Sequence, residues 1–163
     1  MYVEHGLLLL TALVELELST TNGTYTHPLT VYYQPTMTTP QPKVIALTGA
    51  ASGIGRETAI FLASRGNLLS ISDLQQGPLD AVVETITKSG GQVIATVVDV
   101  RKRDQVEAWY AATVKHYGRL DGCANIAGVI GKNLGVNSLE DVDDDDFDFV
   151  QSVNVKGVLN CLR

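Results

Sequence analysis

The feature that most constrains this chain is a short apolar run that feeds a glycine-rich turn, which opens in its turn into a helical pattern. Val44-Ile45-Ala46-Leu47 is the run and Thr48-Gly49-Ala50-Ala51-Ser52-Gly53-Ile54-Gly55 is the turn; a helix is expected over 54–65, with Gly66 as its stop signal. An unbroken apolar run ending at a turn reads as a strand buried on both faces, which is the habit of parallel sheets. Parallel strands cannot be joined by tight hairpins and need crossover helices. The turn therefore commits the chain to alternating strands and helices.

The alternation continues downstream. A second strand is expected over 68–71, closing on Asp73. Leu79, Val82, Val83 and Ile86 fall at helical spacing before Gly90-Gly91, and a β-branched third strand over 93–98 ends at Asp99-Val100. Val106, Trp109, Tyr110, Thr113, Val114 and Tyr117 mark a third helix, with Trp109 expected in the core. A fourth strand is expected over 120–126, with Ala127-Gly128 turning out of it. After a longer loop, a helix beginning near Asp144 places Phe147, Val150, Val153, Gly157, Val158 and Cys161 on one side. The expected fold class is α/β, a Rossmann-type doubly wound parallel sheet, incomplete, with about four strands and four helices.

The glycines give the turn a chemistry. Gly49 permits the tight exit from the strand, Gly53 lets backbone approach a pyrophosphate, and Gly55 lets the helix pack close to the sheet. The helix start offers free N–H groups and positive dipole density to phosphates. Ser52 and Ile54 lie in the same turn and join the candidate cofactor-binding set. No Gly-Lys-Ser/Thr follows, so this is not the loop of a nucleotide hydrolase. Asp73 lies at the end of the second strand, 18 residues past Gly55 (73 − 55). A carboxylate there accepts hydrogen bonds from adenosine ribose hydroxyls and repels a 2′-phosphate, and Leu74, Gln75 and Gln76 supply no cation to reverse that. NAD is favoured and NADP is disfavoured.

Composition narrows the partners. The net charge is -6, and no basic cluster is denser than Arg101, Lys102 and Arg103, so no nucleic-acid partner is expected. Cys123 and Cys161 form neither a disulfide framework nor a zinc site; both read as buried or half-buried hydrophobes, which suits a reducing, cytoplasmic setting. The run over 140–148, rich in Asp and Glu, lacks the central glycine of a calcium loop and reads as a capped helix start; no metal site is expected. The apolar stretch over 6–18 is too short for a bilayer, and no Lys or Arg precedes it as in a secretory signal. Residues 1–36 have no clean period. They are expected to be a disordered extension or a mis-joined gene product, with Met37 as the natural start and residues 37–163 forming a partial dinucleotide-binding domain.

Thr48-Gly-x-x-x-Gly53-Ile54-Gly55 resembles the signature of the short-chain dehydrogenase/reductase family. Three further segments agree in order and separation. Asp99-Val100 resembles the pair that the family places beside the adenine ring. Asn125-Ile126-Ala127-Gly128 resembles its Asn-Asn-Ala-Gly motif, with Ile126 in place of the second Asn. By that resemblance Asn125 steadies the sheet, and Ala127 and Gly128 lie along the cofactor ribose. Val153-Asn154-Val155-Lys156-Gly157 resembles the helix with the family's catalytic-site Asn, which makes Asn154 the catalytic candidate, in a proton relay. The resemblance covers residues 43–163 and implies an NAD(P)-dependent oxidoreductase for a small alcohol or carbonyl substrate, with homo-oligomers pairing through the helix around Asn154.

One part of that resemblance is missing. The family's proton donor is a Tyr with a Lys four residues later, preceded by a Ser. The residues four after Tyr2, Tyr25, Tyr32, Tyr33, Tyr110 and Tyr117 are Gly6, Leu29, Thr36, Met37, Val114 and Asp121. The chain therefore reads as an N-terminal fragment carrying a cofactor cradle without a proton donor, expected to be poorly soluble because its fourth strand leaves an apolar edge. The alternative is a non-catalytic dinucleotide-binding protein or inactive gene product.

Overall fold

The computed structural model describes residues 13–14, 29–30, 41–132 and 138–163. The chain divides into two units, Met1–Gln41 and Pro42–Arg163. In the first, β1 (Leu13–Val14) pairs antiparallel with β2 (Leu29–Thr30), Leu13 opposite Thr30. The rest of residues 1–36, and with it the expectation of a disordered or mis-joined lead, lies outside the described residues.

In the second unit the elements alternate as β3 (Val44–Thr48), α1 (Gly53–Ser64), β4 (Leu68–Asp73), α2 (Gln76–Lys88), β5 (Gln92–Val97), α3 (Arg103–Tyr117) and β6 (Gly122–Asn125). A single 3-10 turn, Leu139–Asp141, precedes α4 (Asp144–Gln151), a π-helical turn (Ser152–Gly157) and α5 (Val158–Leu162). The four strands are parallel, in the order β5-β4-β3-β6. The chain steps outward from β3 through β4 to β5, then returns to the other side of β3 for β6. That reversal opens a crevice at the carboxyl ends of β3 and β6, where ligands of open α/β sheets bind. The opposite end of β3 is tied down by Asp121, whose carboxylate accepts the Val44 N–H at 2.8 Å and Arg119 Nη2 at 2.6 Å.

Strand alternation sorts two cores. Leu47, Leu69 and Ile71 face α1 and α2, where Ala59, Ala63, Leu79, Val82 and Ile86 complete an aliphatic cluster. Ala46 belongs to the second cluster, with Val106, Trp109, Val153 and Cys161. On that face Ser70 is small enough to leave room for Trp109, and its hydroxyl accepts the indole N–H at 2.8 Å while pairing with Thr113 Oγ1 at 2.6 Å. Trp109 is buried, as its spacing implied.

Three sequence expectations are corrected. The final helix is not one regular α-helix: the π-helical turn between α4 and α5 inserts extra backbone per turn, so Val153, Gly157, Asn160 and Cys161 turn inward while Phe147, placed on the buried side from spacing, is 53% exposed. Val114 is also exposed, because α3 buries only the narrow stripe of Val106, Trp109 and Thr113. Cys123 is exposed as a residue, since β6 pairs with β3 on one side and has no described strand on the other. The acidic run begins α4, where the Asp143 side chain accepts the Asp145 N–H at 2.9 Å.

Candidate functional site

The crevice is an open cleft of about 440 Å³. Gly49, Ser52, Gly53, Ile54 and Gly55 form its floor at the start of α1, Asp73 stands at the end of β4, and Asp99 and Val100 follow β5. Ala127 and Gly128 close it from the β6 side. The structure thus brings together every sequence candidate except Asn125 and Asn154, which stand behind the cleft rather than in it.

The turn is glycine-built for reasons visible in the backbone. Gly49 has φ +71, and a Cβ there would stand 2.7 Å from the Ala127 nitrogen. A Cβ on Gly55 would stand 1.9 Å from the Gly49 carbonyl oxygen. The first strand, the helix start and the turn after β6 are therefore packed backbone to backbone with no room for a side chain. Gly53, with φ +51, has nothing within 4 Å of its Cβ position, so one stretch of loop presents bare backbone to the open cleft. A cradle of this shape fits a pyrophosphate.

Side chains then lock the loop to its neighbours. Thr48 Oγ1 accepts both the Ile126 and Ala127 N–H groups at 3.1 Å, joining β3 to the turn after β6. Asp73 accepts the Ala51 N–H at 3.0 Å through one carboxylate oxygen and the Gln75 N–H at 3.1 Å through the other. Each oxygen keeps lone-pair capacity for a ribose hydroxyl. Beside Asp73, the Ser72 hydroxyl is buried against the cleft and has no hydrogen-bond partner among the described residues. Such an orphan is rare in a folded core and suits a site completed by a polar ligand or its water.

Asn125 and Asn154 act one layer back. Asn125 Oδ1 accepts the Cys123 thiol at 2.9 Å, and Cys123 Sγ is 2.9 Å from the Tyr110 hydroxyl. Desolvation pushes the titration of both thiols up, and desolvation with the Cys123 contact pushes the Tyr110 phenol up much further. Each shift favours the neutral form of the group. The Asn154 amide grips the backbone of Val129 in both directions: Oδ1 accepts its N–H at 2.9 Å, and Nδ2 donates to its carbonyl at 2.9 Å. Asn154 sits in the π-helical turn, a distortion that often marks functional sites.

Sequence reasoning missed Ser72, Arg101 and Phe149, all of which line the cleft. Arg101 holds Asp99 through Nε at 2.9 Å and Nη2 at 2.7 Å, which keeps the Asp99 carboxyl below the usual carboxylate range. An Arg two residues after the Asp was a readable signal for that pair. No local signal singled out Ser72 or Phe149. Among the described residues, no cluster of His, Cys, Asp and Glu could hold a metal ion, and no helix is long and apolar enough to cross a membrane.

Fold and cleft define a doubly wound α/β domain with a dinucleotide-type phosphate cradle. The chain belongs to the short-chain dehydrogenase/reductase family, whose family model, described as short chain dehydrogenase, matches residues 43–163. It is 47% identical over 122 residues to the short-chain dehydrogenase/reductase aba4 of Botryotinia fuckeliana, covering 74% of this chain and 47% of that protein. It is 40% identical over 118 residues to levodione reductase of Leifsonia aquatica, covering 71% and 43%. Among solved structures it is similar to levodione reductase (TM-score 0.69, 38% identity, 74% of this chain and 46% of that one). It is also similar to a short chain dehydrogenase/reductase from Burkholderia phymatum in complex with NAD (TM-score 0.69, 34% identity, 75% and 42%). The chain spans just under half the length of the curated relatives it matches.

Proposed function

We propose that residues 37–163 supply the dinucleotide-binding part of an oxidoreductase that moves hydride between NAD(H) and a small alcohol/carbonyl pair. The observation that carries the reading is the pairing of a side-chain-free cradle at Gly49–Gly55 with a carboxylate, Asp73, tied to that cradle through the Ala51 N–H. When bound, the nicotinamide ring supplies the hydride acceptor or donor. Gly49, Ser52, Gly53, Ile54 and Gly55 hold the pyrophosphate, Asp73 takes the adenosine ribose hydroxyls, Asp99 and Val100 border the base, and Ala127 and Gly128 lie along the other ribose. Asn125 and Asn154 position that wall, and Asn154 has a place in a proton relay by family resemblance. Support for NAD over NADP comes from the charge of Asp73 and from the Burkholderia relative, solved with NAD.

The cytoplasm is proposed as the setting, and pairing between copies through the helix around Asn154. Phe147, Val155, Leu159 and Leu162 are exposed along that helix and give the pairing an apolar face. Isothermal titration of the full chain tests the cofactor. NADH binding at least tenfold tighter than NADPH is expected for a carboxylate at position 73, and Asp73→Ser should narrow that gap. Equal affinities for the wild type would refute the Asp73 assignment.

A second reading has its own observation. No tyrosine among the 163 residues is followed four residues later by a lysine, the pair that by family resemblance supplies the proton. On that reading these residues bind a dinucleotide without turning it over. Dinucleotide binding with no carbonyl-dependent NADH oxidation by the full chain would favour it.

A further inference from the structure

Gly128 and Val129 line the cleft, and the chain then leaves it along α4, where Gly131 and Lys132 meet Asp146. Two side chains hold this strap at its ends. Asn154 takes both backbone groups of Val129 at 2.9 Å, and Asp146 Oδ2 accepts the Lys132 N–H at 2.8 Å. The two clamps are 8 residues apart (154 − 146). That is about 12 Å along a helix, whereas the three steps from Val129 to Lys132 reach about 10 Å when extended. The strap therefore runs antiparallel to the helix with little slack between its clamps.

Burial does not fix the outer end, because Ile130, between the clamps, is 75% exposed. The outer clamp also depends on a bare backbone. A Cβ on Gly131 would stand 2.6 Å from Asp146 Oδ2, so a side chain there would displace the carboxylate from the Lys132 N–H. Asp146 is thus set apart from the rest of the acidic run, in which Asp143 caps α4.

Sheet order places the strap on one half of the cleft. Asp73 ends β4 and Asp99 follows β5, on one side of the glycine cradle after β3; Gly128 and Val129 follow β6, on the other. A dinucleotide with its pyrophosphate on the cradle and one ribose at Asp73 lays its remaining half against the β6 wall.

We propose that Asp146 is a positioning residue for that remaining half: through the Lys132 N–H it keeps the strap extended, and with Asn154 it keeps Gly128 and Val129 in place at the cleft. This rests on the dinucleotide-binding reading above.

The test combines amide hydrogen exchange at Lys132 with isothermal titration of the full chain by NADH and by ADP, which keeps the adenosine and the pyrophosphate and lacks the rest. Asp146→Ala should speed Lys132 exchange about fivefold or more. It should weaken NADH roughly threefold to tenfold and change ADP affinity by less than about twofold. Asp146→Asn keeps an acceptor oxygen and should restore most of both effects. Gly131→Ala pushes the carboxylate aside and should reproduce Asp146→Ala, and the double variant should be no worse than either alone. Equal weakening of NADH and ADP would mark a general loss of structure and overturn the proposal. So would unchanged Lys132 exchange, unchanged NADH affinity, or Asp146→Asn as weak as Asp146→Ala. Wild type that melts cooperatively yet binds neither ligand would instead overturn the cofactor reading, and this proposal with it.

Discussion

On the side formed by β3 and α1, the cleft is backbone against backbone: Gly55 lies against the Gly49 carbonyl, and Gly49 against Ala127. On the side formed by β6 and the α4–α5 helix, the corresponding contacts run from side chains to backbone. Asn154 grips Val129, Asp146 Oδ2 accepts the Lys132 N–H at 2.8 Å, and Asn160 holds Val100. Steric exclusion between backbones is steep and has no partial form, because neither partner has a rotamer to change. A hydrogen bond from an amide or carboxylate is worth about 1 kcal/mol net and can be lost singly. The first wall should therefore fail abruptly on mutation, and the second by degrees.

Gly55→Ala should have the largest effect. With a methyl 1.9 Å from the Gly49 oxygen, the helix start must leave the sheet. We expect a loss of about 3 kcal/mol in urea denaturation and no measurable dinucleotide binding. A variant with wild-type stability would break the comparison at its stronger end. Gly53→Ala sharpens it within one loop. Its Cβ meets nothing, so only the positive φ is penalised, and the expected destabilisation is about 1 kcal/mol. If Gly53→Ala is as damaging as Gly55→Ala, close packing is not what distinguishes the two positions.

The second wall should respond more gently. Asn154→Ala removes both bonds to Val129 at an exposed site and should cost about 1 kcal/mol, while Asn154→Asp, which keeps the acceptor and loses the donor, should fall between that variant and wild type. Two equally damaged variants would mean that the amide works as an inseparable unit. The smallest effect should appear with pH. The Arg101 hydrogen bond lowers the Asp99 carboxyl in the folded protein, so its contribution is fully present above the unfolded value near ~4 and is lost as pH falls through the lower folded value. The melting-temperature gap between wild type and Asp99→Asn should be constant at neutral pH and should close below about pH 4. A gap independent of pH down to unfolding would remove the ion pair from the account.

Much of the first wall was legible in the sequence, because glycine spacing records backbone geometry directly. Thr48, Gly49, Gly53 and Gly55 all fall within residues 48–55, where a strand passes into a helix, and their constraint is local. Asp73 was legible for the same reason, lying at a strand end next to that turn. The second wall was legible only in part. Asn154 could be singled out by family resemblance, but not its grip on Val129, 25 residues away in sequence. The π-helical turn was not legible at all: spacing assumed a regular helix, whereas Ser152–Gly157 is π-helical, Asn160 beyond it is buried, and α4 before it buries no residue, Phe147 included.

What the sequence by itself determined is the alternation of strand and helix, the parallel sheet and the glycine cradle with its carboxylate. Each follows from constraints between residues close along the chain, where periodicity and allowed backbone angles already discriminate. Only the tertiary structure decided how the far wall is assembled: Ser72 left without a partner among the described residues, Asp99 paired with Arg101, and Phe149 brought beside that guanidinium from a helix nearly fifty residues on. Those contacts depend on which elements the sheet order makes neighbours. Neither side chain carries its partner's address in its own local sequence.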